Sequence, residues 1–238
     1  MSHLQLFIVF HSVLYDDYYK DIKQEDLDKY FTFVAVNKNI DKKFTKGKYK
    51  IINEWDLPIY DSKFQERGYN ENSVIYHIYI NKMYDYDKIG FFQYDMRFNK
   101  GSLNYILTNK DCSFYLASYK FSTIKSNCTE KVINYIIKDY EKYRNKKVVT
   151  NKDYPMLNSY IIDKNDYINI MDWVVTLYDK LYPWALNIAN KNKSQKSGHI
   201  GGVFEAIMAL SVVQYNSLNI KGLQHFVKHD QTSESKRH

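Results

Sequence analysis

Apolar residues fall along this chain in two rhythms. Residues 4–12 (LQLFIVFHS) and 30–37 (YFTFVAVN) are unbroken apolar runs of strand length, the second rich in β-branched and aromatic side chains. A run without alternation describes a strand covered on both faces, the habit of α/β proteins. Residues 48–55 (KYKIINEW) form a weaker strand candidate, and strands are also predicted over 88–95 and 112–121. Elsewhere the period lengthens to that of a helix. Val74, Ile75, Ile78, Tyr79 and Lys82 share one face of 71–83, with Asn70 or Asn72 placed to cap it. Ile133, Ile136, Ile137 and Tyr140 line 130–143 behind a Thr129 cap, and SLNYILTN is a short helix. Residues 157–182 read as a strand, a capped turn and a long helix lined by Tyr167, Met171, Val174, Tyr178 and Leu181. A polar, basic loop (190–198) precedes a last helix over 201–215, and the tail HDQTSESKRH is predicted to be disordered.

Strands and helices follow one another without a compositional break or an internal repeat. The expectation is one α/β domain over 1–225, with a central mixed, mostly parallel sheet flanked by helices, and a disordered tail over 226–238.

Composition adds less. The 24 tyrosines go with abundant Lys, Asn and Ile and with scarce Gly and Pro, the bias of an A/T-rich coding sequence rather than a sign of chemistry. The net charge of +7 suits an anionic partner, but the lysines are scattered and no nucleic-acid module is visible, so no specific nucleic-acid partner is expected. Two cysteines without CxxC spacing fit a reducing compartment. The apolar opening lacks the basic flank and cleavage site of a signal peptide, and no run reaches membrane-spanning length. These features predict a soluble, cytoplasmic protein.

Ligands of open α/β sheets gather at the carboxyl ends of the strands. Here those ends carry His11 and Ser12, Asn37, and Asp95. A carboxylate ending a buried strand needs a positive neighbour, and a divalent cation holding a diphosphate would supply one. Asp95 can equally pair with Arg97 or cap a turn, His11 can be a structural histidine, and Asn37 a turn residue. A second group lies in KSGHIGGVFE: His199 as a metal ligand or phosphate donor, Gly201 and Gly202 at a helix start suited to phosphate, and Glu205 in the following turns. Lys191, Lys193 and Lys196 could close over an anion, or simply form a solvated loop. No P-loop, GxGxxG, HExxH or GxSxG is present.

Five blocks in order resemble the glycosyltransferase-like family of capsular polysaccharide synthesis, a GT-A-type group with relatives in giant DNA viruses: IVFHSVLYDDYY, GYNENSVIYHIYINKM, DKIGFFQYDMRF, NSYIIDKNDYINIMDWVVTLYDKLY and GHIGGVFEAIMAL. They span most of 5–213. The family's His-Tyr-Arg-Arg turn is here Gln93-Tyr94-Asp95-Met96, which is closer to the Asp-x-Asp element of GT-A enzymes, with a single Asp. The resemblance implies a GT-A-like, Rossmann-like domain that moves a sugar from a UDP- or GDP-sugar to a glycan or glycoprotein hydroxyl, with Mn²⁺ or Mg²⁺ on Asp95 and His199. His11, Ser12, Tyr15, Asn37, Asn72, Lys196, Gly201 and Gly202 would contact the donor. Glu205, or else Asp163, would be the base on the acceptor side. If viral, the protein would act in host cytoplasm. The alternative is a GT-A-like module that binds sugar, nucleotide or a partner without catalysis.

Overall fold

The computed structural model describes residues 3–11, 13–36, 48–191, 199–215 and 219–230. Strands β1 (Leu4–Phe10), β2 (Phe31–Ala35), β3 (Ile51–Asn53), β4 (Lys88–Gln93), β6 (Cys112–Tyr119), β7 (Tyr154–Asp163) and β8 (Asn219–Gly222) form one sheet in the order β3-β2-β1-β4-β7-β6-β8. All pairings are parallel except those of β7 with β4 and with β6. A separate two-stranded ribbon pairs β5 (Met96–Phe98) antiparallel with β9 (Val227–His229). The helices are α1 (Gln24–Tyr30), α2 (Lys63–Glu66), α3 (Glu71–Ile80), α4 (Ser102–Thr108), α5 (Phe121–Asn127), α6 (Glu130–Arg144), α7 (Lys164–Val174), α8 (Tyr178–Lys191) and α9 (His199–Tyr215).

The unbroken apolar runs have the expected cause: both faces of the sheet are covered. In β1, Phe7 and Val9 enter the core shared with α3, α7 and α9, while Leu6, Ile8 and Phe10 enter a second core with Leu27, Leu103 and Ile106. β2 and β4 divide in the same way, with Val34, Ile89 and Phe91 on the first side and Phe31, Phe33 and Phe92 on the second. At the sheet's centre Gly90 leaves no room for a side chain: an added Cβ would lie 2.6 Å from Leu6 Cδ2 and 2.8 Å from Ile161 Cγ1. α9 is apolar on nearly all sides, and Val203, Phe204, Ile207, Met208 and Leu210 are all buried, as befits a helix packed between β7, α7 and α8. Burial of each such large side chain contributes roughly 1.5–3 kcal/mol.

Two caps behave differently from each other. Thr129 caps α6 by accepting from the Val132 N–H at 3.4 Å. Asn70 precedes α3 at φ 53° without a side-chain cap bond. One boundary needs correction. The tail expected from 226 onward begins with a strand, because Val227–His229 pair with β5 and the Asp230 N–H donates to the Asp95 carbonyl at 2.9 Å. Both cysteines are free thiols, and no helix among the described residues is long and apolar enough to cross a membrane.

Candidate functional site

β1, β2 and β4 run parallel, so their carboxyl ends share one edge of the sheet. β4 stops at Gln93 opposite Val9, the Tyr94 N–H donates to the Val9 carbonyl, and the chain turns through Asp95 into β5. Register then brings in the distant partner. With Met96 opposite His229, the carboxylate of Asp95, fully buried, has Oδ2 3.2 Å from His229 Nε2.

From this pair a run of side-chain contacts can be followed along the edge. Asp230, next along β9, accepts from the Tyr18 hydroxyl at 2.6 Å. Tyr18 packs on Tyr15 (4.9 Å between ring centroids), Tyr15 stacks on Tyr94 (6.2 Å), and Tyr94 meets the edge of His11 (6.2 Å). His11 Nε2 lies 3.1 Å from Glu71 Oε1 at the start of α3. The charge of Glu71 acts on Glu205 in α9, and Glu205 in turn feels His229. Eight residues from five separate segments thus meet along one edge, with Glu205 within electrostatic reach of Glu71 and His229, and four of these nine are acids: Glu71, Asp95, Glu205 and Asp230.

That crowding has electrostatic consequences. Desolvation pushes the Glu205 carboxyl up to about 7; the Leu157 N–H, donating to Oε1 at 2.8 Å, and His229 pull it back, while Glu71 pushes it further up. Burial, the bond to Asp230 and nearby negative charge raise the Tyr18 hydroxyl well above its ordinary range. The Leu157 N–H reaches Glu205 because β7 is irregular there: Leu157 and Asn158 stand at φ 53° and 49°, where the register with β6 shifts. Left-handed backbone at such residues costs on the order of 1–3 kcal/mol and clusters at functional sites.

The edge can do three things chemically. Asp95 and His229 offer one oxygen and one nitrogen donor to a divalent cation. Among the described residues no group of three or more His, Cys, Asp or Glu is arranged to hold a metal, so the rest of a coordination shell would come from ligand and water. Glu205 is poised to exchange a proton near neutrality. The partly exposed Tyr15 ring, backed by the buried rings of Tyr18 and Tyr94, offers a stacking surface.

Of the residues singled out from sequence, Asp95, His11, Tyr15 and Glu205 come together here. Asp163 does not. It pairs across from Lys88, level with Leu4 and so at the opposite edge, where its Oδ1 accepts from the Asn165 N–H and caps α7. Asn72 is buried and braces helices rather than facing a ligand: Nδ2 donates to the Tyr69 and Gly201 carbonyls, and Oδ1 accepts from Asn158. Gly201 serves the same packing, since a Cβ there would lie 2.9 Å from Asn70 Nδ2, whereas Gly202 has open space. His199 opens α9, but its side chain, with Ser12, Asn37 and Lys196, lies outside the described residues. Among the described residues the imidazole beside Asp95 is that of His229. His229 sits in what sequence marked as tail, three residues long as a strand and without a recognisable period. Tyr18 and Asp230 were missed with it, and Glu71 had only its place at a helix start as a signal.

The sequence matches no family model and no curated protein. In structure the chain is similar to mouse xyloside xylosyltransferase 1 in its apo form, at 10% identity and a TM-score of 0.39, over 92% of this chain and 84% of that one. It is also similar to galactosyltransferase LgtC in complex with donor and acceptor sugar analogues, at 15% identity and a TM-score of 0.37, over 73% of this chain and 65% of that one.

Proposed function

We propose that the protein is a glycosyltransferase that moves a sugar from a nucleoside-diphosphate sugar to an acceptor hydroxyl, in glycan or glycoprotein synthesis. The observation that carries this reading is the cluster of acids at this edge. Four carboxyl groups, those of Glu71, Asp95, Glu205 and Asp230, lie about the carboxyl edge of the sheet among His11, His229 and Arg97, whose guanidinium is 5.8 Å from the Tyr18 ring, and a setting this rich in acids suits a divalent cation. A divalent cation would find its first donors in Asp95 Oδ2 and His229 Nε2, which contact each other at 3.2 Å and would have to part to hold it, and it would draw a diphosphate to this edge. When bound, such a cation neutralises the charge that develops on a departing diphosphate.

The chain's own groups supply the rest. Tyr15 and His11, with Ser12 and Asn37, hold the base and ribose. Gly202 leaves the first turns of α9 open to phosphate, and Lys196 adds positive charge just before that helix. Glu205, half ionised near pH 7, takes the proton of the acceptor hydroxyl, and the Leu157 N–H keeps its carboxylate oriented. Tyr18 and Asp230 hold β9, and therefore His229, against the β4–β5 turn.

A panel of UDP- and GDP-sugars incubated with the protein, with and without Mn²⁺, tests the reading. Slow release of free sugar from one donor, dependent on the cation and lost in Asp95→Asn, is the expected outcome. Tight sugar or nucleotide binding that is indifferent to the cation and never followed by release would mark a binding module instead.

A further inference from the structure

The opposite edge of the sheet holds a cavity of about 300 Å³ that the transfer chemistry does not use. It lies at the amino ends of β1 and β4, beside α4. Its apolar wall is Leu4, Ile106 and Leu107, and its polar wall includes Lys88, Lys110, Asp111 and Asp163. The volume is at the small end of the range for ligand pockets, and the mix of an apolar wall with a few charged groups is typical of them.

Lys88 is the unusual member. Only 6% of its surface is exposed, and its Nζ has no hydrogen-bond partner among the described residues. A buried ammonium left without an acceptor is costly, and such groups in folded proteins are nearly always satisfied. Cross-strand pairing sets Asp163 beside Lys88 on the backbone, but the Asp163 carboxylate is engaged in capping α7. Desolvation lowers the ammonium's pKa, with the charges of Asp163, Asp111 and Asp166 opposing. A ligand carboxylate would give Nζ its missing acceptor in a charge-assisted bond.

The acids limit the choice of ligand. Asp87, joined to His3 at the rim, lines the cavity with Asp111 and Asp163, three acids against the two ammonium groups of Lys88 and Lys110, so a doubly charged phosphate or dicarboxylate would meet net repulsion. A single carboxylate accompanied by an ammonium would not, and the apolar wall suits an aliphatic body. We propose that this cavity is a second binding site for a small zwitterion, an aliphatic α-amino acid, whose carboxylate pairs with Lys88 and whose ammonium faces the acidic rim.

Amide chemical shifts of the full chain, titrated separately with L-leucine, isovalerate, 3-methylbutylamine and inorganic phosphate at constant ionic strength, test this. Leucine is expected to move the amides of 87–88, 106–111 and 163 at the lowest concentration, isovalerate the same amides more weakly, and the amine and phosphate not at all. Lys88→Met is expected to weaken leucine binding by at least about tenfold. Should that variant fold poorly, Leu107→Trp, which fills the cavity from its partly exposed wall, is expected to abolish the shifts. Equal response to isovalerate and the amine, shifts that survive both variants, or none with the wild-type chain would overturn the proposal. The transferase reading rests on the other edge and stands or falls separately.

Discussion

Asp95 and His229 are 134 positions apart in the chain, yet Oδ2 of one lies 3.2 Å from Nε2 of the other. The contact depends on a ribbon of two three-residue strands, and the hydroxyl of Tyr18 fastens the end of that ribbon through Asp230. Tyr18→Phe removes that fastening while leaving both Asp95 and His229 in place. Loss of a hydrogen bond to a carboxylate costs about 1.5–3 kcal/mol. The expected result is a several-fold rise in the cation concentration needed for nucleotide binding, together with a urea midpoint lowered by about 0.5–2 M, read by calorimetry and by fluorescence.

Glu205→Gln separates chemistry from stability. As the acceptor-side base, Glu205 should matter by about 10²–10⁴-fold in kcat. Its folded pKa, near 7, lies above the ordinary carboxylate value. The folded state therefore holds the proton more tightly, and stability drawn from the protonated form is full below about pH 4.5 and lost as the pH rises to 7. Without added cation, the Gln variant should be more stable than wild type at pH 8, on the order of 2 kcal/mol allowing for partial exposure, and equal to it near pH 4.5. Thermal melts at the two pH values check the sign.

Away from the edge, Glu54 is fully buried. Its carboxylate accepts from Ser73 Oγ at 2.6 Å and Gln65 Nε2 at 2.6 Å, and lies 2.7 Å from His77 Nδ1. Since the Asp61 N–H donates to His77 Nε2, the Nδ1 proton points to Glu54. The cluster resembles a catalytic triad in composition, but its serine and histidine both bond the acid and not each other. Glu54→Ala leaves the buried His77 Nδ1–H without its acceptor, while Ser73 keeps the Asn70 carbonyl and Gln65 keeps Ser73 Oγ, and should cost about 3–5 kcal/mol in urea unfolding.

Gly90→Ala tests the packing of the two-faced sheet. Its Cβ would meet Leu6, Ile161 and, at 3.2 Å, the Tyr160 carbonyl. Overpacking of this kind costs about 1–3 kcal/mol. A lower melting temperature with an unchanged circular-dichroism spectrum is the expected result.

The two-faced strands were legible because an unbroken apolar run has few other meanings, and α6 because its period is clean, whereas α3 buries Asn72, Ser73 and His77 beside its apolar residues and ends at Ile80, short of Lys82. Strand direction was not legible. Asp163 ends a strand as Asp95 nearly does, but β7 runs antiparallel to β4, so its carboxyl end lies at the wrong edge. Nor was β9. Three residues carry no period, and Val227–His229 gain their order only from β5, whose own three residues are equally silent. An acid ending a buried strand signalled that a partner was required, while the partner's position was set by a long-range register that local pattern does not encode.

Calorimetric titration of UDP and of GDP into the wild-type chain and into His229→Ala, each with and without Mn²⁺, bears most directly on the central claim. If Asp95 and His229 together hold the cation that binds the diphosphate, one nucleotide should bind the wild type only with Mn²⁺, and His229→Ala should weaken that binding by about 10–100-fold. Cation-dependent binding that His229→Ala leaves intact, or binding without any cation, would contradict it.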